Sequence, residues 1–352
     1  LLENGFSLLF GAYYFEDVKL YNKAKKILIA ELNEQILDDG AHFELSPMYH
    51  QLMLLKVMDC VNLVKNNSYK NQELLYFLKE KADIMLDWIN AMTFRNGDIP
   101  LFNDSAKHIA PTTSELNDYA KKLNLNSQRR VNNHLTVCGY RKYVQSRYEL
   151  IVDMGNIGPN YIPGHAHADT FNFELHVDNK PFIVDTGIST YEKNELRQRE
   201  RSTESHNTVV INDTNQSQVW GGFRVGERAK IIEIRENENQ IIACHDGYKN
   251  LGVFHKRLFK TRKKNIKIKD FLIGKKVDAK AYIHFHPCIR NIFITSNHIH
   301  LLDIDCHIQF KGTSLMIEKK TYNYAFGFNK TQKSIVLEVS FKEELITAIS
   351  IN

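Results

Sequence analysis

The sequence has five cysteines, Cys60, Cys138, Cys244, Cys288 and Cys306, scattered and odd in number, with no CxxC pair among them. A disulfide scaffold and a thiolate zinc site are both excluded on that pattern, and buried free thiols remain. No apolar run approaches the roughly 20 residues that a membrane helix requires, so no membrane segment is expected. Internal repeats and low-complexity tracts are also missing. So is a secretory leader, with its basic start, short apolar run and small-residue cleavage site. The chain opens on Leu1, and "LLENGFSLLFGAYYF" reads as the middle of a buried helix. The natural N-terminus is therefore expected upstream, and the missing leader carries no information on export. No nucleic-acid motif is found. The basic stretch "HKRLFKTRKKNIKIK" at 255–269 alternates Lys with Ile, as the solvent face of a strand does.

What is present describes an ordinary globular chain. It has 352 residues, 43% of them hydrophobic and 25% charged, enough for two domains with substantial cores. The formal net charge of +5 points weakly to a polyanionic partner, and mixed surface charge explains it equally well.

The sequence changes character near residue 110. Before it, apolar residues follow helical spacing: Leu74, Phe77, Leu78, Met85, Trp88 and Ile89 fall on one face. Residues 1–92 read as four helices, followed by the turn-rich "FRNGDIPLFNDSA". A polar stretch, 111–134, reads as an interdomain connection. From Leu135 onward, short β-type runs such as "YELIVD", "FNFELHV", "NTVVIN" and "SIVLEVSF" alternate with turns, the signature of an antiparallel sandwich. The expected fold is thus α+β in two domains.

Two clusters carry chemistry. The first is "PGHAHADTFNFEL" at 163–175, followed by "PFIVDTG" and "RSTESHNTVVIN". In an extended segment His165, His167 and Asp169 project from one face. Asp185 and His206 lie at strand ends. Imidazole nitrogens and a carboxylate converging from three segments suit zinc, and on spacing alone ordinary polar strand ends are the other reading. The second cluster is "DDGAHFELSPMYHQ" at 38–51. Gly40 and Pro47 break the helical pattern and leave a loop with His42, Glu44, Tyr49 and His50. Ser46 and Pro47 are expected to cap the next helix.

These segments resemble the heparinase II/III-like family. "GHAHADTFNFEL", "IVDTG" and "RSTESHNTVVIN" are similar to its β-domain signature, and "LLENGFSLLF" and "DGAHFELSPMYH" to its helical segments. The resemblance covers roughly residues 1–260 with the motifs in order. It implies a partial α/α toroid over 1–110 and a heparinase II/III-like β-sandwich domain over 135–352. It also implies a lyase that cleaves an acidic, uronic-acid-containing polysaccharide by β-elimination. A uronate C5-epimerase and a non-catalytic glycan-binding protein are the alternatives.

By the same resemblance, Tyr49 is the catalytic base and acid, its pKa lowered by a nearby cation or imidazole, and His165 assists it. His167, Asp185 and His206 are the ligands of a structural zinc. An Asn–His pair that neutralises the substrate carboxylate is expected just upstream of Leu1. Glu3, Asn4, His42, His50, Tyr191 and Arg201 are candidate substrate contacts, and Trp220 and Phe223 either stack on sugar rings or pack. The family implies action in the periplasm or outside the cell.

Overall fold

A computed structural model describes residues 1–70, 72–125 and 135–352. Helices α1 (Leu2–Phe15), α2 (Val18–Gln35), α3 (Pro47–Lys65) and α4 (Gln72–Met92) are the four expected before residue 93. In α2, Tyr21, Ala24, Leu28 and Leu32 are buried at helical spacing, and the Asp17 carboxylate caps the first turn, accepting from Lys19 N–H at 2.7 Å and Leu20 N–H at 3.0 Å. The segment 111–134 is not featureless. It contains α5 (Thr113–Leu123), started by a Thr112–Glu115 capping box and ended by Asn124 in the left-handed region, φ 56°. Leu116, Ala120 and Leu123 bury α5 into the helical core. The rest of that segment, 126–134, lies outside the described residues.

The β part holds a four-stranded antiparallel sheet, β1 (Tyr140–Val144), β2 (Tyr148–Asp153), β3 (Phe173–Val177) and β4 (Lys180–Ile183) in that order. The short α6 (Glu195–Glu200), strand β5 (Val209–Ile211) and a two-stranded hairpin, β6 (Val219–Trp220) and β7 (Arg224–Val225), follow. The remaining strands are β8 (Ile231–Asn237), β9 (Gln240–His245), β10 (Val253–Arg262), β11 (Asn265–Gly274), β12 (Ala279–His284), β13 (Ile292–Thr295), β14 (His298–Leu301), β15 (Cys306–Gly327) and β16 (Lys330–Ile351). Together with β5 they form one antiparallel sheet of ten strands.

The alternation of β2 decides how the parts join. Leu150 and Val152 pack into the core shared with Ile268, Leu337 and Val339 of the large sheet, whereas Ile151 and Tyr140 pack into the helical core. The small sheet is therefore covered on both faces, and every residue of β2 is buried. The helices and the sandwich are fused through this sheet.

Candidate active site

The site forms where α3 begins against the loops of the small sheet. Ser46 caps α3, its Oγ accepting from Tyr49 N–H at 3.4 Å, with Pro47 at the first helical position. This matches the expected cap and moves Tyr49 and His50 out of a loop into the first turn of α3. The Ser46 hydroxyl also donates to the Asp104 carbonyl at 2.9 Å. Asp104 N–H in turn donates to the His165 carbonyl at 3.1 Å, and Asn103 Oδ1 accepts from His167 N–H at 3.0 Å. One hydrogen-bonded path thus sets the start of α3 against the HxH segment.

The Tyr49 and His165 rings lie against each other, centroids 3.9 Å apart. Both are partly accessible, as are Glu44 and Tyr191. The Tyr49 hydroxyl is 3.0 Å from that of Tyr191, and the Glu44 carboxylate is 3.8 Å from His165 Nε2. Burial pushes the Tyr49 phenol above its ordinary pKa, and the hydrogen bond to Tyr191 and the Arg197 charge only partly offset this. The expected lowering is therefore corrected: the resting side chain is a neutral phenol.

Beneath these groups lies a feature missed in the sequence. Asp104 is fully buried and accepts from His165 Nδ1 at 2.9 Å, His167 Nε2 at 2.8 Å and Arg197 Nη2 at 2.7 Å. Burial alone would raise its pKa. The bonds from the two histidines and the Arg197 guanidinium outweigh it and hold the carboxyl well below the usual carboxylate range. An ionised carboxylate only accepts, so each histidine must carry its proton on the nitrogen facing Asp104. His165 Nε2, the nitrogen turned away from Asp104, faces the Glu44 carboxylate at 3.8 Å. Burial brings His167 down to about 3, so it is neutral. Arg197, also fully buried, stands 5.1 Å from the ring centroids of both Tyr191 and Phe223.

The expected metal ligands divide. His167 Nδ1 and His206 Nε2 are buried without partners, and the two rings are 5.3 Å apart. Asp185 is engaged: Oδ2 accepts from His206 Nδ1 at 2.7 Å and from Asn172 Nδ2 at 2.5 Å, and Oδ1 accepts from Gly187 N–H at 2.9 Å. It orients His206, whose pKa burial would lower but the Asp185 charge raises. Asp169 Oδ2 is buried without a partner, and burial lifts that carboxyl to about 6. Among the described residues, no group of three His, Cys, Asp or Glu side chains forms a ready metal cage.

Several candidate contacts lie elsewhere. Arg201 is fully buried, its guanidinium donating to the carbonyls of Ala166 at 2.8 Å, Arg224 at 3.4 Å and Trp220 at 3.5 Å, so it braces loops instead of facing a carboxylate or sulfate. His50 is buried between His42 N–H and the Met85 carbonyl, 3.2 and 2.9 Å away. Buried His42 meets Gln35 Oε1 at 3.3 Å. Glu3 pairs with Lys56 in solvent, Asn4 is exposed, and neither touches Tyr49 or His165 among the described residues. The missed residues, Asp104 and Arg197, sit in a turn-rich loop and a short helix. The only local sign was a carboxylate in "FND", which is too common to read.

Gly40 sets the loop that carries Glu44. Its φ is +91°, and a Cβ there would stand 2.2 Å from the Ile84 carbonyl oxygen. Gly40→Ala is expected to cost about 2–4 kcal/mol, combining left-handed strain with a backbone clash. A urea midpoint unchanged from wild type would contradict this.

The helical layer, the sheets fused to it and the meeting of Tyr49 with His165 where they join define the class of protein. The heparinase II/III-like C-terminal family model matches residues 127–352, and the heparinase II/III N-terminus model matches 15–131. The chain belongs to the heparinase II/III-like family. A heparin-sulfate lyase of Bacteroides thetaiotaomicron is 24% identical over 310 residues, 77% of this chain and 43% of that protein. One from Bacteroides stercoris is 23% identical over 305 residues, 78% of this chain and 43% of that protein. The chain thus spans less than half the length of these relatives. A heparan sulfate lyase mutant from Pedobacter heparinus superposes with a TM-score of 0.79 at 16% identity, covering 99% of this chain and 59% of that one. A chondroitin AC lyase of Streptomyces coelicolor superposes at 0.56 with 8% identity, covering 98% and 59%.

Proposed function

We propose that this protein is a polysaccharide lyase that cleaves an acidic, uronic-acid-containing polysaccharide by β-elimination. The observation that carries this reading is the pairing of the Tyr49 phenol with an imidazole whose tautomer a buried carboxylate fixes. The family and the lyases among its relatives support it. On the same reading the helical part is a section of an α/α toroid, and the polymer runs between it and the sandwich.

β-Elimination needs a base for the proton on C5, a partner for the adjacent carboxylate and an acid for the departing O4. Tyr49 as phenolate takes the C5 proton and as phenol returns it to O4, so one side chain serves both steps from one face. His165 Nε2, an acceptor in the neutral imidazole, assists that proton transfer, and the Tyr191 hydroxyl orients the phenol. Arg197 and Arg201 are committed to Asp104 and to backbone carbonyls, so neither is placed to neutralise the substrate carboxylate.

Zinc, if bound here, would be held by the two orphaned nitrogens, His167 Nδ1 and His206 Nε2, and by an oxygen of the Asp169 or Asp185 carboxylate brought toward them. Bound there, it would lock together the loops that present His165. The hydrogen bonds that His167 Nε2–H donates to Asp104 and His206 Nδ1–H donates to Asp185 leave the other nitrogen of each ring as the one a metal would take. His167→Ala is then expected to abolish metal content and to lower the melting temperature. Metal-free wild-type protein that melts unchanged would remove zinc from the reading.

The test of function is ultraviolet absorbance of full-length protein incubated with a panel of uronic-acid polysaccharides. Rising absorbance from a new C4–C5 double bond establishes the lyase and its substrate class. A changed ratio of uronate epimers without that rise assigns the epimerase. Neither change, in folded protein, leaves glycan binding.

A further inference from the structure

The β6–β7 hairpin has two sides, and only one belongs to the cleft already described. Phe223 at its tip lies 6.1 Å from the His165 ring and 5.4 Å from Tyr191. Trp220, paired with Arg224 across the hairpin, is 45% exposed and borders a separate groove of about 710 Å³. The indole edge rests over Gly226, where a Cβ would come within 2.9 Å of it.

The rest of the groove mixes apolar side chains, Val219, Tyr248 and Leu251, with amides and hydroxyls, and it is almost uncharged. Asn215, Gln216, Gln218 and Asn250 line it. Each exposed amide uses one atom on the fold. Asn215 Oδ1 accepts from Thr203 N–H at 2.9 Å, Gln218 Oε1 from Glu227 N–H at 3.2 Å, and Asn250 Nδ2 donates to Glu227 at 2.9 Å. The complementary amide atom of each has no hydrogen-bond partner among the described residues. At the floor, Gln216 spends its NH2 on the Ala168 and Thr170 carbonyls, both at 3.1 Å, and its Oε1 is buried without a partner. Glu227 is the one ionised residue of the lining, and Lys249 neutralises it at 3.0 Å.

We propose that this groove is a second saccharide-binding site, specific for an uncharged, N-acetylated sugar. A pyranose ring has an apolar face that stacks on an indole, and hydroxyl and acetamido groups that need both donors and acceptors. Trp220 supplies the platform and the amides supply both kinds of partner. A sulfated or uronate unit would need an unpaired cation, and the lining has none. The inference concerns binding alone and stands whether or not the catalytic reading holds.

Fluorescence reads this directly, because of the two tryptophans Trp88 is 1% exposed and only Trp220 meets solvent. The probe is triacetylchitotriose, titrated against the whole chain while acrylamide quenching is followed. Shielding of Trp220 is expected with half-saturation on the order of 1 mM, the strength of one stacked ring with a few hydrogen bonds. The double variant Gln218→Ala/Asn250→Ala keeps the reporter, lies on the surface and should weaken binding roughly tenfold. No shielding by any saccharide would overturn the proposal. Equal or stronger shielding by a heparin oligosaccharide would overturn the specificity claimed. Shielding by an amide-rich peptide in place of sugars would reassign the groove to peptides.

Discussion

On the proposed lyase reading, Asp104→Asn is expected to lower turnover by about 10³–10⁴-fold, the scale known for a carboxylate that fixes a catalytic imidazole's tautomer. Asparagine preserves shape but places an NH2 where two imidazole N–H groups and a guanidinium now donate. Turned toward His165, that NH2 can only donate, so the hydrogen bond that Nδ1–H now makes to the carboxylate is lost. Turned elsewhere, it confronts His167 or Arg197. In every orientation the buried Arg197 loses its counter-charge, which costs about 3–5 kcal/mol of stability. The native carboxyl is held far below its ordinary pKa. Its stabilising contribution is therefore present above the unfolded value near ~3.9 and is lost only as pH falls toward the folded one. Denaturant unfolding and turnover should fall together. A variant that melts like wild type and keeps activity within tenfold would show that Asp104 holds neither the charge nor the tautomer.

Tyr49→Phe separates chemistry from folding. The substitution removes one hydrogen bond, 3.0 Å to the Tyr191 hydroxyl at a half-buried position, so stability should change by no more than about 1 kcal/mol. Turnover should drop at least ~10⁴-fold, since general base and general acid assistance are each worth about 10²–10⁴ and one phenol provides both. The wild-type pH profile supplies a second readout. Burial raises the Tyr49 pKa, so the phenolate fraction is small at neutral pH and the rate should keep climbing through the alkaline range, past the ordinary phenol value near ~10. The Phe variant should lack that limb. Full-length Tyr49→Phe enzyme with wild-type activity would end the assignment of Tyr49 as base.

Much of this molecule was legible along the chain because the signals are local. Helical spacing marked the four helices before residue 93, and Ser46-Pro47 marked the start of α3, since capping depends on neighbours three residues apart. Strand alternation marked residues such as Ile266 and Ile268, both buried, with exposed Lys267 between them. The order of motifs pointed to the family to which the chain belongs.

Tertiary structure alone decided the rest. Asp104 meets His165 across 61 residues of sequence and Arg197 across 93, and no periodicity reports contacts of that range. The chain could not show that Asp185 orients His206, that Arg201 spends its fork on carbonyls, or that burial raises the Tyr49 pKa, because each depends on what surrounds the group and not on its neighbours in sequence. Nor could it show that the small sheet is covered on both faces. Alternation says that a strand has two faces, and only packing decides what each one meets. The sequence by itself determined most of the elements, though not α5, and the residue types able to do acid–base chemistry. The three-dimensional fold decided which of them share a charge, a proton and a cleft, because electrostatic and hydrogen-bond energies depend on distance in space.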